Sequence, residues 1–277
     1  MRLLSGILAW QKLDTLLEGD KSLSTRPMAR IADPLRLMGA MISTSKNSTP
    51  PISITGGKSL KAIEYEIPVA SAQVKSCLLL AALYCRGKTI LHESDLTRDH
   101  TERMLRGFGY ALEQKGKRIC LDGGGSLRAT RVDVPRDISS AAFFMVAAAI
   151  TPGSDIFLPG IGINPSRFGI INILRLMGVR IDIYDSREIT GEPVADIRIR
   201  YQNLVGIDIP ASEVSSAIDE FPAIFIAAAC ASGITRLKGA SELRVKESDR
   251  LKAMADGLEI LGIETALTED GILVTGG

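Results

Sequence analysis

At 277 residues, with 45% hydrophobic and 23% charged side chains, the sequence is that of a globular chain long enough for two domains. A net charge of +1 and 5% aromatic residues argue against a nucleic-acid surface, which wants a strongly basic face and stacking rings. No apolar run reaches the ~20 residues of a membrane span, and MRLLSGILAW is followed by no small-residue cleavage site, so a cytoplasmic location is expected.

In chain order the predicted elements repeat. An amphipathic helix is predicted in RPMARIADPLRLMGA from Arg26, and an almost wholly apolar one in SAQVKSCLLLAALYCRGKT, residues 71–89, leading to a strand at 89–91. RDHTERMLRGFGYA from Arg98 is again amphipathic, and DISSAAFFMVAAAITPGSD, residues 137–155, again apolar. RFGIINILRLMGVR from Arg167 leads to strands at 180–184 and 195–201. Then come apolar AIDEFPAIFIAAACASGIT, residues 217–235, amphipathic RLKAMADGLEILGIE from Arg250, and a strand at 271–274. Each amphipathic helix is read as opening on its arginine and closing on Gly39, Gly109, Gly178 or Gly262, which stand 70, 69 and 84 residues apart. That period is too long for a solenoid repeat and points to a small α/β module used repeatedly. The apolar helices are expected to be buried, with Ser71, Asp137 and Asp219 as N-caps.

Cys77, Cys85, Cys120 and Cys230 show no CxxC spacing and read as buried, reduced thiols. With only His92 and His100 beside them, no metal site is expected. TGGKS at 55–59 has Ile52 where a phosphate loop wants its first glycine, and DGGGS at 122–126 lacks the GxGxxG spacing, so both read as turns.

Chemistry is expected at the helix starts, where free N–H groups and partial positive charge suit phosphate and carboxylate. Arg26, Lys75, Arg98, Lys246 and Arg250 accompany those starts, so a small polyanion is the expected ligand; basic residues merely solvated at helix ends are the plain alternative. RVKESDR, residues 244–250, packs five charges just before a helix and reads either as a binding segment or as a solvated loop capped by Ser248 or Asp249. Asp219 reads as a helix cap or as a base, and Glu247 as its acid partner.

RPMARI, PVASAQVKS, TRDHTERML, DISSAAFF, NPSRFG, AIDEFP and ELRVKESDR, in that order, resemble the 5-enolpyruvylshikimate-3-phosphate synthase family (3-phosphoshikimate 1-carboxyvinyltransferases), a match through essentially all 277 residues. The resemblance implies transfer of the enolpyruvyl group of phosphoenolpyruvate to the 5-hydroxyl of shikimate 3-phosphate, on the path to chorismate and the aromatic amino acids. It implies an α/β (α+β) fold, a two-domain inside-out barrel of repeated βαβαββ units with the site in the cleft between domains, and no metal or organic cofactor. Allocated so, 1–134 holds part of the shikimate-3-phosphate-binding domain and 135–277 part of the second domain. Nucleic acid and membrane are not expected partners.

By the same resemblance Ser71, Ala72, Gln73, Arg98, Asp219 and Lys246 hold shikimate 3-phosphate, and Arg2, Arg26, Gln73 and Arg250 hold phosphoenolpyruvate. Asp219 and Glu247 are the catalytic carboxylates, Asp219 on the 5-hydroxyl and Glu247 at the methylene carbon. The family's Lys-Ser…Arg and GNxGT segments fall before Met1 and its Asp-His-Arg segment beyond Gly277, so the expectation is the central part of the family chain, an internal start or gene fragment. Arg136 replaces a usual glycine near the domain crossover, where a Cβ is expected to strain the backbone. Two other readings remain: the related transferase on a UDP-sugar, which wants a loop cysteine, and a non-catalytic or degenerate fragment.

Overall fold

In the computed structural model, which describes residues 1–246 and 248–277, the four helix-closing glycines share one geometry. Gly39, Gly109, Gly178 and Gly262 have φ of +98°, +76°, +99° and +82°. At each, the glycine N–H reaches back to the carbonyl three residues earlier and the next N–H to the carbonyl five earlier, as in Gly178 to Arg175 and Val179 to Leu174. This left-handed closure satisfies carbonyls that the helix end leaves free, and only glycine takes it without strain.

The chain divides into two compact units, Met1–Arg131 and Val132–Gly277. The first contains α1 (Arg2–Leu8), β1 (Thr15–Leu17), α2 (Ala29–Leu37), β2 (Met41–Ser43), β3 (Ile52–Thr55), β4 (Glu64–Ile67), α3 (Ala72–Ala82), β5 (Lys88–Glu93), α4 (His100–Gly107), β6 (Leu112–Lys115) and β7 (Arg118–Asp122). Its strands form sheets in the orders β1-β3-β2 and β4-β5-β7-β6. Only the β4–β5 pair among them is parallel, as the intervening crossover helix α3 requires. Met28, Ile31, Leu35, Ile52, Ile54, Leu78 and Leu91 fill the core between helices and sheets.

The second unit contains α5 (Ile138–Ile150), β8 (Asp155–Gly162), α6 (Gly169–Leu176), β9 (Arg180–Ile189), β10 (Glu192–Arg200), α7 (Ala211–Val214), α8 (Phe221–Ala229), β11 (Gly233–Leu237), α9 (Arg250–Ile260), β12 (Glu264–Leu267) and β13 (Ile272–Gly276). Its sheets run β8-β10-β9 and β11-β13-β12. Parallel bridges add a leading edge to each, Arg136 to Ile161 in one, Val205 to Ser232 and Asp208 to Arg236 in the other. With β4–β7, the order βαβαββ thus recurs among the described residues, and the α/β fold is the expected one. Ile170, Leu174, Ile197, Ile199, Phe221 and Phe225 lie in this core. Among the described residues no helix is long and apolar enough to cross a membrane.

Several local expectations differ from what is observed. Of the four arginines only Arg250 is itself the first helical residue; Arg26, Arg98 and Arg167 stand in the turn before α2, α4 and α6. Helix α5 is not buried all round, since Phe143 and Phe144 are 65% and 62% exposed on the side turned away from β8, β10 and α8. Cys230 is exposed, because α8 ends at Ala229 and leaves it at the C-cap; Cys77, Cys85 and Cys120 are buried. Burial pushes the Cys77 thiol up to about 12 and the Cys85 thiol up to about 11. Arg136 is not among the residues with positive φ, so no strain attends its Cβ. Its backbone bonds Gly160 and Gly162, and its side chain donates to the Pro159 carbonyl at 2.9 Å.

Candidate active site

In the first unit the candidate residues converge because α1 lies against α3. A Cβ on Gly6 would sit 2.1 Å from the Cys77 carbonyl oxygen, so glycine is what permits this approach. The packing carries Arg2, at the start of α1, to Gln73 in the first turn of α3. Arg2 Nη1 donates to Gln73 Oε1 at 2.7 Å and Nη2 to the Pro27 carbonyl at 3.0 Å, which fixes the guanidinium beside the Arg26–Pro27 turn. Burial first, then the charges of Arg30 and Arg26, push the Arg2 guanidinium below its ordinary pKa. Arg2 pairs with no carboxylate among the described residues.

Ser71 caps α3 as its sequence suggests, Oγ accepting from the Val74 N–H at 3.4 Å. Its carbonyl accepts from Lys75 N at 3.1 Å. Ala72 and Gln73 supply first-turn N–H groups that no intrahelical carbonyl can take, an anion-favouring arrangement. Arg98 is half-buried in the turn between β5 and Asp99, the N-cap residue of α4. Lys75 departs from expectation: it is wholly buried between Glu93 and Glu102, and so is no surface ligand for an anion.

In the second unit Asp219 is not a helix cap. The N-cap residue of α8 is Glu220, and α8 has little left to cap: Pro222 has no N–H, and the Ala223 N–H already bonds the Glu220 carbonyl. The Asp219 carboxylate faces the segment before α9 instead. Arg250 Nη1 donates to its Oδ1 at 3.1 Å, and Lys246 Nζ lies 3.8 Å from the same oxygen. All three side chains keep between 23% and 29% exposure, so solvent or a ligand can reach them.

The charged run 244–250 divides by role. Asp249 caps α9, accepting from Lys252 N at 3.0 Å, and Arg244 anchors the loop through Asp249 Oδ2 at 2.7 Å and the Glu269 carbonyl at 2.8 Å. That leaves Lys246 and Arg250 turned to Asp219. Glu247, the expected acid/base partner, lies outside the described residues.

Two neighbours bear on these groups without having been singled out. Arg30, four residues after Arg26 in RPMAR, adds a third guanidinium to the Arg2 surroundings, and that spacing was its only signal. Glu220, buried beside Asp219, accepts from Ser139 Oγ, which in turn accepts from Arg167. Arg167 also pairs with Asp137 Oδ1 at 2.7 Å. Burial opposes the charge of Asp137, but Arg167 and the Ser140 N–H outweigh it and hold the carboxyl below its ordinary range. Nothing in the sequence joins these residues, which lie on three separate elements. Among the described residues no group of three His, Cys, Asp or Glu side chains could hold a metal.

The family model described as EPSP synthase (3-phosphoshikimate 1-carboxyvinyltransferase) matches residues 1–277. A curated protein of that name from Methylococcus capsulatus is 63% identical over all 277 residues, and one from Nitrosococcus oceani is 59% identical. The chain spans 63% and 62% of the length of those two relatives. A solved EPSP synthase structure from Acinetobacter baumannii, 58% identical, superposes with a TM-score of 0.88 over 99% of this chain and 62% of that one. Identity at this level along the whole sequence, on the same repeated α/β frame, means that the chain belongs to the EPSP synthase (3-phosphoshikimate 1-carboxyvinyltransferase) family.

Proposed function

We propose that the chain serves the transfer of the enolpyruvyl group of phosphoenolpyruvate to the 5-hydroxyl of shikimate 3-phosphate, with release of phosphate, toward chorismate and the aromatic amino acids. The observation that carries this reading is the Arg2 guanidinium, half-buried, bonded to Gln73 and crowded by the charges of Arg26 and Arg30. Desolvated cations of like charge are stabilised by a bound anion, and both substrates are phosphate esters. Arg2, Arg26, Gln73 and Arg250 are assigned to phosphoenolpyruvate. Ser71, Ala72, Gln73, Arg98, Asp219 and Lys246 are assigned to shikimate 3-phosphate, with residues 1–134 as its binding domain and 135–277 as the second domain.

Asp219, beside two cations, is the group that takes the 5-hydroxyl proton as that oxygen bonds the phosphoenolpyruvate carbon and phosphate departs. Arg250, beside Asp219, keeps 23% exposure, so an anion can reach its guanidinium. Glu247 is assigned the proton at the methylene carbon on the family likeness alone. The four free thiols suit a cytoplasmic protein.

Calorimetric titration of the 277-residue chain tests the binding side. Shikimate 3-phosphate should bind more tightly than phosphoenolpyruvate or inorganic phosphate, and Gln73→Ala should weaken it about tenfold, the effect of one charge-assisted contact. No preference for shikimate 3-phosphate over inorganic phosphate would count against the reading.

A further inference from the structure

Lys75 and Glu102 have no exposed surface and Glu93 only 6%, so one ammonium and two carboxyl groups lie inside the first unit. Lys75 Nζ is 2.7 Å from Glu102 Oε1 and 3.2 Å from Glu93 Oε1. The three side chains come from the first turns of α3, the end of β5 and the first turn of α4. A buried ion cluster is a poor device for stability alone, since well-packed apolar side chains of similar volume often do as well or better. Its geometry indicates another use.

Between β5 and α4 runs the turn that carries Arg98. Within it, residues 94–96 are exposed, yet Thr97 is gripped on three sides by the cluster. Its N–H donates to Glu93 Oε1 at 3.1 Å, its hydroxyl donates to the same oxygen, and its carbonyl accepts from Lys75 Nζ at 3.4 Å. That carbonyl belongs to the peptide whose nitrogen is Arg98. One turn further, Thr101 and Ser76 share a hydroxyl hydrogen bond of 2.6 Å, which fastens the start of α4 to α3.

We propose that Lys75, Glu93 and Glu102 are positioning residues which, through Thr97, hold Arg98 in place relative to the α3 N-terminus and thereby set the affinity for a phosphate-bearing ligand there. This rests on the assignment of Arg98 to shikimate 3-phosphate. One lysine can serve two carboxyls because burial, with Glu93 adding to it, pushes the Glu102 carboxyl above its ordinary pKa against the pull of Lys75.

The test compares the parent chain with Glu93→Gln, which removes the carboxylate that Thr97 bonds, and Thr97→Val, which leaves Lys75, Glu93 and Glu102 in place and removes only the hydroxyl. Amide hydrogen exchange is followed along the chain, and each protein is titrated with shikimate 3-phosphate and with phosphoenolpyruvate. Exchange at residues 94–101 should rise about tenfold while α3 and β7 stay protected, and shikimate 3-phosphate should bind about tenfold more weakly with phosphoenolpyruvate unaltered. If Glu93→Gln does not fold, Thr97→Val carries the comparison. Exchange unchanged at 94–101, or raised evenly through the unit, overturns the proposal and leaves an ordinary structural cluster. Selective loosening of 94–101 in a parent chain that ignores shikimate 3-phosphate overturns the assignment of Arg98, and with it the affinity claim, while establishing the hold on the turn.

Discussion

Arg2 sets binding against stability within one side chain. A guanidinium disfavoured by burial and by two neighbouring arginines costs the folded unit free energy that only an anion returns. Arg2→Met keeps the stem and removes the charge, so thermal stability should hold or rise while phosphoenolpyruvate affinity falls about tenfold or more. Unfolding midpoints and titrations of the two proteins check this; a large loss of stability would mean that Arg2 is structural. Glu102 makes a pH prediction. Its folded pKa is raised, so the folded state holds the proton more tightly than the unfolded chain does. The stability this gives is full below the ordinary carboxyl range and is lost as pH rises through the folded value. Glu102→Gln is neutral throughout and should therefore gain on the parent in urea unfolding as pH rises above the ordinary carboxyl range; a gap independent of pH would contradict it. Residues like these explain what the sequence could and could not disclose. Ser71 was legible as a cap because its partner is three residues away. Lys75 was not: a lysine in a helix's first turns reads as a surface cation until its partners, distant in sequence, are seen to close over it. Asp219 likewise read as a cap, since the pull of Arg250 and Lys246 acts across 31 and 27 residues of chain.

At the scale of elements, position on the glycine framework decides which substitutions matter. Gly6→Ala places a methyl 2.1 Å from the Cys77 carbonyl, so α1 must move off α3 and carry Arg2 away from Gln73. Overpacking of that kind costs ~1–3 kcal/mol, and anion binding should fall with it. Gly257, inside α9, has nothing within 4 Å of an added Cβ, and its φ is not positive. Gly257→Ala should stabilise by ~0.5–1 kcal/mol through helix propensity. Denaturant unfolding of the two variants reads both signs, and equal behaviour would refute the packing account. The helix ends were legible because an apolar-Gly-apolar step after an amphipathic stretch admits one backbone solution, the left-handed closure seen four times. The exposure of Phe143 and Phe144 was not, because an apolar composition says that a helix seeks cover and not which face receives it.

For the molecule as a whole, the repeat was legible and the pairing it produces was not. Leading strands reduced to single parallel bridges at Arg136, Val205 and Asp208 leave almost no hydropathy pattern, yet they complete the βαβαββ order. The candidate groups fall in both units, Arg2, Gln73 and Arg98 in one, Asp219, Lys246 and Arg250 in the other. Enolpyruvyl transfer is the central claim, and phosphate release measures it most directly. Since the chain spans 63% of the Methylococcus capsulatus relative, the assay is made on a chimera in which residues 1–277 replace that protein's matching segment. Given phosphoenolpyruvate, the chimera should release phosphate only when shikimate 3-phosphate is supplied as well, and Asp219→Asn should lower turnover ~10²–10⁴-fold while leaving folding unchanged. An inactive chimera, or an Asp219→Asn variant within a few-fold of the chimera, would contradict the account.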